Sequence, residues 1–317
     1  MKIDEVFNAV EKAHSGVVYK MDTTKSLVRD RLSSGSLLLD RALGGGFVKG
    51  TITEIYGLYS SGKSTICLHA MAEAQKEGIV LFVDTERAFD PMYAKALGVN
   101  IKDLIICQPE YSEQAFDVIE AFAKCPDISM IVLDSIASLL PKAEMEGNPG
   151  DANMGVAARL NHQHARRVVA PLSNNKIVAL YTNKITYKIT SYGNPETTAG
   201  GTAFDYSAST RIKTTKTSTR KETLAKQSIE CTAEVTKNKT FIPFQVAVLN
   251  IDFGKGINKG KELLELGVEN GVIEKSGAWY SIGEERIGQG KDNASQTLME
   301  NKEWQEKIMG VKQEEKE

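Results

Sequence analysis

The chain has 317 residues, 41% of them hydrophobic and 25% charged, and its formal net charge is −2 at pH 7. This is the make-up of a globular chain with room for one large domain and a smaller one. It contains no run of about eighteen apolar residues, so no segment is expected to span a membrane. Any affinity for nucleic acid must come from a local basic surface, since the overall charge supplies none.

The start, Met1-Lys2-Ile3-Asp4-Glu5, lacks the basic-then-apolar order of a signal peptide. The four cysteines, Cys67, Cys107, Cys125 and Cys231, show no C-x-x-C spacing and read as reduced thiols in a cytosolic protein. Ile3, Val6, Phe7 and Val10 fall at helical spacing, which predicts a short amphipathic helix over residues 3–13. Its apolar stripe is expected to bury itself on a neighbouring subunit. Residues 1–33 therefore read as an oligomerisation helix and a polar linker.

Residues 34–257 read as one α/β core. Short β-branched runs recur at Ile79–Val83, Met130–Leu133, Ile177–Tyr181, Thr210–Thr214, Ile229–Val235 and Val246–Phe253. The first three alternate with helical segments at Pro91–Leu97, Ser112–Ala123 and Gly155–Ala170, which implies parallel strands joined by crossover helices. The last three follow one another closely and are expected to add antiparallel strands. From Asn258 the pattern changes to helix (Lys261–Glu269), hairpin (Trp279–Ile287) and helix (Asn293–Ile308). Residues 258–317 thus read as a small α+β domain with a charged tail from Lys312.

The most informative segment is Gly57-Leu58-Tyr59-Ser60-Ser61-Gly62-Lys63-Ser64, which matches G-x-x-x-x-G-K-[ST] between an apolar strand end and a helix. Such a loop aims backbone N–H groups at a polyphosphate on a helix N-terminus. Lys63 would reach the outer phosphates and Ser64 would hold Mg²⁺. Asp134 closes the apolar run Met130–Leu133, where it can complete the metal shell with Ser64. Glu86 follows the strand Ile79–Val83 and is placed to orient and deprotonate the water that attacks the γ-phosphate. The bland alternative for Glu86 is a solvated loop carboxylate.

Beyond these sites the chain resembles RecA-type homologous recombinases over nearly its whole length. The resemblance is carried by Gly57–Thr65, Val83-Asp84-Thr85-Glu86, Asp90–Lys95, Val132–Ser135, Pro141–Glu144, Gly155–Arg159, Gly193–Gly201 and Lys237–Lys239, then by Gly277–Tyr280 and Ile287–Lys291. It implies a RecA-like P-loop NTPase core with a mostly parallel sheet, and a DNA-dependent ATPase using ATP and Mg²⁺. The expected activity is filament formation on single-stranded DNA, pairing with homologous duplex DNA and strand exchange in the bacterial cytosol or nucleoid. Gly57, Ser60, Ser61, Gly62, Lys63, Ser64 and Thr65 would bind nucleotide. Tyr93 would stack on adenine with Asp90 nearby, although on its own Tyr93 is equally a packing residue. Lys237 and Lys239 would reach across a subunit boundary to a neighbour's γ-phosphate; without the resemblance they read as a solvated strand end.

Two segments poor in regular pattern, Glu146–Met154 and Ile185–Thr202, are the DNA candidates. Gly200, Gly201 and Thr202 offer backbone N–H groups to phosphates, and Arg159 and Arg166 share one helix face. Met154, Ile189 and Tyr192 could wedge between or stack on bases. Ordinary surface loops are the alternative. His162 and His164 should face different ways, and the run Arg211, Lys213, Lys216, Arg220, Lys221 reads as a solvated hairpin. Two rival functions share this core: a ring-forming motor or helicase, and a non-catalytic accessory protein.

The chain also departs from the family. Lys184 stands where the pattern has a Gln that relays γ-phosphate state to the second DNA loop, and a lysine has no acceptor for a two-sided relay. Lys184→Gln is expected to change the DNA dependence of hydrolysis more than the affinity for ATP. Asp205 replaces a usual Lys beside Tyr206, the second loop is one residue shorter before Gly193, and the region before Ser34 differs. These departures point to a divergent member, of the kind a phage or mobile element carries.

Overall fold

The computed structural model describes residues 2–15, 17–18, 29–148, 155–187, 195–223 and 226–310. The chain divides into two compact units, Met1–Asp30 and Arg31–Glu317. The first holds helix α1 (Ile3–Ala13), with Asp4 and Glu5 in its first turn and Lys12 in its last, charges that complement the helix dipole. The Glu5 carboxylate accepts the Lys2 backbone N–H at 3.0 Å. None of the α1 residues is buried.

The second unit opens with β1 (Arg31–Leu32), α2 (Leu37–Leu43), β2 (Phe47–Val48), β3 (Ile52–Gly57) and α3 (Lys63–Ala74). Then come β4 (Ile79–Asp84), α4 (Pro91–Ala96), β5 (Leu104–Cys107), α5 (Ser112–Phe122), β6 (Ile128–Asp134) and α6 (Lys142–Glu146). Next are α7 (Val156–Asn175), β7 (Val178–Tyr187), β8 (Glu196–Thr198), α8 (Ala203–Ser207), β9 (Thr210–Thr223), β10 (Lys226–Asn238), β11 (Val246–Asp252) and β12 (Gly256–Ile257). The chain continues through α9 (Lys259–Glu269), β13 (Glu274–Ser276), β14 (Trp279–Ile282), β15 (Glu285–Gln289), α10 (Lys291–Glu300) and α11 (Lys302–Gly310).

The large sheet runs in the order β12-β11-β10-β9-β3-β7-β6-β4-β5. Its central strands are apolar along their length because both faces are covered. Alternate side chains split between two cores: Val80, Phe82 and Val132 face α3, while Leu81, Val83, Ile131 and Leu133 face α5 and α7. Parallel pairing brings the strand ends level, with Asp84 opposite Asp134 and Gly57 opposite Lys184. This is where functional groups collect in an open parallel sheet.

Two expectations need correction. The run beginning at Thr210 is not part of the antiparallel addition: β9 pairs with β3 in parallel, Thr53 opposite Thr210 and Gly57 opposite Thr214. The chain returns down the sheet through β8 and α8 before β9 rises, so a short return does the work of a crossover helix. Beyond β9 the antiparallel additions are β10, β11 and β12, and β8 pairs antiparallel with the end of β7. The terminal helix also breaks at Asn301, whose side chain accepts the Trp304 N–H at 3.2 Å. An Asn that bonds its own backbone starts a new helix rather than continuing the old one.

The C-terminal elements form a third core, including Leu263, Leu264, Tyr280, Ile287, Leu298 and Ile308, with Leu37 of α2 packed against it. At this seam the buried Glu262 accepts hydrogen bonds from the Ser36 hydroxyl and, at 3.1 Å, from the Leu37 N–H. Burial pushes its carboxyl up to about 7, against the pull of the Ser36 hydrogen bond and with help from the nearby charge of Asp40. A folded value above the unfolded one means stability is fully present below the unfolded value and is lost as pH rises through about 7. Glu262→Gln is therefore expected to flatten the melting temperature between about pH 5 and about pH 8, removing a dependence of about 3 kcal/mol. A thermal melt series on both chains checks this.

Candidate nucleotide and nucleic-acid sites

The phosphate loop leaves β3 at Gly57 and enters α3 at Lys63. A Cβ on Gly57 would sit 2.3 Å from the Thr214 carbonyl oxygen, and Gly62 holds φ +90° with Ile251 Cδ1 2.7 Å from where a Cβ would lie. Side chains at these two positions would push the loop off β9 and β11. Ser61 locks the loop from inside, with its Oγ 2.7 Å from both the Leu58 carbonyl oxygen and Thr214 Oγ1. No acidic residue occupies the first turn of α3, so its N-terminal amides face an anion without competition.

The Lys63 ammonium folds into the loop and donates to the carbonyls of Leu58 (2.8 Å) and Gly57 (3.2 Å). Burial lowers its pKa, opposed by the charges of Asp134 and Glu86. The Ser64 hydroxyl donates to Asp134 Oδ2 at 2.7 Å, and the Thr182 hydroxyl donates to Oδ1 at 2.5 Å. Burial raises the Asp134 pKa, and these two hydrogen bonds act against it. A carboxylate and a hydroxyl within bonding distance, next to a phosphate loop, form the hard-oxygen set that suits Mg²⁺.

Glu86 stands beside this pair. Its Oε1 accepts the Ser135 hydroxyl at 2.7 Å and the Ser138 hydroxyl at 3.3 Å, and Lys184 Nζ lies 3.0 Å from the same oxygen. Burial pushes its carboxyl up, but the Ser135 and Lys184 hydrogen bonds outweigh it and the net shift is downward. Glu86 is thus ionised at neutral pH, as a base must be. Asp84 shapes the turn ahead of it, accepting the Ala88 N–H at 3.2 Å and the Gln108 amide at 3.0 Å.

On the other side of the loop lies a cleft of about 590 Å³ lined by Ser60, Gly62, Thr65, Asp90 and Tyr93. Asp90 caps α4 through the N–H groups of Met92 and Tyr93, which fixes the Tyr93 ring, and the Tyr93 hydroxyl lies 3.1 Å from Thr65 Oγ1. The opposite wall is Ile229, Ile251 and Phe253, which sequence reading did not connect to the loop. An apolar slot with an aromatic ring suits a flat heterocycle.

Lys237 and Lys239 lie at the end of β10, back along the sheet from the phosphate loop. Lys237 pairs with Arg211 across β9, and Arg211 with Glu54, three residues before Gly57 along β3 and so about 10 Å below it. Lys237 Nζ donates to the carbonyls of Asp205 (2.7 Å) and Tyr206 (3.2 Å), and Lys239 Nζ lies 3.5 Å from the Tyr206 carbonyl oxygen. The Tyr206 side chain is exposed.

The basic run is not a solvated hairpin throughout. Arg211 is mostly buried, pairing with Glu54 at 2.6 Å and Asp205 at 2.7 Å over the Tyr56 ring. Lys213 pairs with Glu196 and Arg220 with Asp292. Arg211 escaped sequence reading because its main partner is 157 residues away. The buried Glu54 also accepts the Asn183 amide at 2.8 Å, and the same amide reaches the Ala199 carbonyl at 3.1 Å.

The DNA candidates fall partly outside the described residues: Met154, Ile189 and Tyr192 do so. Arg159 and Arg166 do share a face of α7, lining a shallow groove with His162, Gln163 and Arg167. His164 turns the other way, buried against Phe116 with Tyr181 Oη 2.9 Å from its Nε2. Asn161 of α7 donates to the Gly200 carbonyl at 2.8 Å, and a Cβ on Gly201 would meet Ala158 at 2.8 Å. Gly200, Gly201 and Thr202 are thereby held at the helix that carries Arg159. The segment expected to lack regular structure from Ile185 is in part a hairpin, Ile185 pairing with Thr198 across β7 and β8. Its Thr-rich ends pair as strands although few apolar residues mark them.

A phosphate loop, a hydroxyl–carboxylate pair and an ionised glutamate at the carboxyl ends of a mostly parallel sheet define a nucleotide-hydrolysing P-loop protein of RecA-like architecture. The RecA N-terminal domain model matches residues 1–258 and the RecA C-terminal domain model residues 261–311. Protein RecA of Staphylococcus carnosus (strain TM300) is 43% identical over 310 residues, covering 96% of this chain and 87% of that protein. Protein RecA of Macrococcus caseolyticus (strain JCSC5402) is also 43% identical over 310 residues, covering 96% and 88%. The chain belongs to the RecA family. It is an ATP-dependent DNA recombinase with strand-exchange activity, which sets aside the ring motor and the accessory protein. Among the described residues no helix is long and apolar enough to cross a membrane.

Proposed function

We propose that ATP lies along the phosphate loop with its base against Tyr93 and its terminal phosphate toward Lys63 and Glu86. Gly57, Ser60, Ser61, Gly62 and Thr65 shape the cradle, and Asp90 fixes the tyrosine. Ser64 and Asp134 hold Mg²⁺, which when bound supplies positive charge to the phosphate oxygens. Glu86, already ionised, orients water and takes its proton. Lys237 and Lys239 serve the phosphates of a neighbouring subunit, in the manner of an arginine finger. Single-stranded DNA lies over α7 and the Gly200–Thr202 segment. Arg159 and Arg166 neutralise its phosphates, and homology is tested by base pairing itself.

The observation that carries this reading is the strand register. It sets Gly57 opposite Lys184 at the end of β3, Asp134 two residues back from that level, and Lys237 three residues back on the far side of β9. Within one chain the Lys237 and Lys239 ammonium groups lie on the Asp205 and Tyr206 carbonyls rather than on the phosphate loop, and a copy stacked head to tail would bring them to its neighbour's phosphate. Such a heterologous contact repeats into a helical filament. Residues 1–33 join one copy to the next, residues 34–257 form the ATPase core, and residues 258–317 receive duplex DNA; the protein works in the bacterial cytosol or nucleoid.

The test is ATP hydrolysis with and without single-stranded DNA. Strong stimulation is expected, together with filaments in electron micrographs. Hydrolysis indifferent to DNA, or closed rings in place of filaments, overturns the reading.

A further inference from the structure

Lys184 sits where four parts of the molecule meet. Its backbone is level with Gly57 at the start of the phosphate loop. Its carbonyl accepts the Ala199 N–H at 3.1 Å, one residue before the Gly200 held on α7, and its own N–H donates to Asn183 Oδ1 at 2.8 Å. Its ammonium lies 3.0 Å from Glu86 Oε1 and 3.4 Å from Ser138 Oγ. The contacts that hold Glu86, from Ser135, Ser138 and Lys184, converge on that one oxygen.

The side chain can change partners. It is 48% exposed and rides on a four-carbon stem, and its pairing with a carboxylate that is 35% exposed is weak enough to be exchanged. A polyphosphate carries more charge than a carboxylate and would compete for the ammonium. A neutral amide at this position could donate to either group, but without the net charge that makes the two compete for an ammonium.

We propose that Lys184 is a positioning residue with two alternating partners, the Glu86 carboxylate and the terminal phosphate of ATP, and that DNA at the Gly200–Thr202 segment drives the exchange. This rests on the nucleotide-site reading above. While Lys184 holds Glu86, the ammonium on Oε1 lowers the basicity of the carboxylate and slows the activation of water. DNA bound at the Gly200–Thr202 segment pulls on the strand end through the Ala199–Lys184 hydrogen bond. The ammonium then passes to the phosphate, Glu86 is freed, and hydrolysis begins. One side chain thereby clamps the base in the absence of DNA and stabilises phosphate charge in its presence.

The test compares Lys184→Met, Lys184→Arg and Glu86→Gln with the parent. It measures kcat and KM for ATP with and without single-stranded DNA, and the affinities for ADP and a slowly hydrolysed ATP analogue. For Lys184→Met the DNA-free kcat should rise about fivefold, as expected for removing about 1 kcal/mol of half-exposed pairing. Its DNA-stimulated kcat should fall, its KM should change little, and with DNA its preference for the analogue over ADP should shrink. Unchanged ADP affinity would show an intact site, and Lys184→Arg should restore both rates.

A DNA-free kcat at or below the parent's, with a parent-like stimulation ratio and analogue preference, overturns the clamp. So does a parent whose hydrolysis ignores DNA. If Glu86→Gln is inactive while Lys184→Met behaves as the parent, the clamp alone fails. If Glu86→Gln still turns over, the reading of the nucleotide site fails and the clamp with it.

Discussion

Replacing Glu86 by Gln should lower DNA-stimulated ATP hydrolysis by about 10²- to 10⁴-fold, the range for loss of a positioned general base. The substitution keeps the size of the side chain and an oxygen to accept the Ser135 and Ser138 hydroxyls, so the loop should not move. What it removes is the charge and the basic lone pair. Nucleotide affinity should stay within about twofold, because in this reading Lys63 and the loop amides hold the phosphates while Glu86 holds the attacking water. Single-turnover hydrolysis and equilibrium nucleotide binding separate the two quantities. A loss of less than about tenfold would mean the base lies elsewhere. The pH dependence follows from the same contacts. The Glu86 carboxyl lies below its ordinary value, so the base is ionised above that range. Once Lys184 passes to the phosphate one of the lowering contacts is lost, so DNA-stimulated hydrolysis should hold through neutral pH and fall as the pH drops through the carboxylate range.

The parts of this site that are contiguous in the chain could be read from the chain. The phosphate loop is eight consecutive residues, and Asp134 and Glu86 each close or follow an apolar run that only a strand buried on both faces would show. The parts that depend on pairing could not. Arg211 looks solvated until β9 is set beside β3, because its partner Glu54 belongs to another strand and pattern-reading sees no distance between strands. The far wall of the base cleft, Ile229, Ile251 and Phe253, comes from β10, β11 and the turn after it, and carries no local signature. Thr182 holds Asp134 from a neighbouring strand in the same way. Lys184 is the middle case. The sequence marks it as a departure from the family, but its contact with Glu86 needs the fold, since Lys184 lies on β7 and Glu86 follows β4, and the two meet only because β6 sets those strands side by side.

The strand register also predicts that two inactive variants should rescue each other. Lys63→Ala disables the phosphate loop. A chain carrying both Lys237→Ala and Lys239→Ala keeps the loop but loses the lysines at the end of β10. Each alone should hydrolyse ATP at under about 1% of the parent rate, given the 10³- to 10⁵-fold worth of a charge supplied to the phosphates from a neighbour. In an equal mixture that assembles at random, about a quarter of the contacts join an intact loop to a neighbour with intact lysines. Activity should therefore recover to about a quarter of the parent's, and only in the presence of DNA that assembles the chains. No recovery would place the work of Lys237 and Lys239 within their own subunit, a role their position makes difficult. Within one chain they are held on the Asp205 and Tyr206 carbonyls, about three strand residues below the loop. Those contacts hold the ammonium groups away from the loop of their own chain, which is why the mixture, and not either variant alone, is expected to hydrolyse ATP.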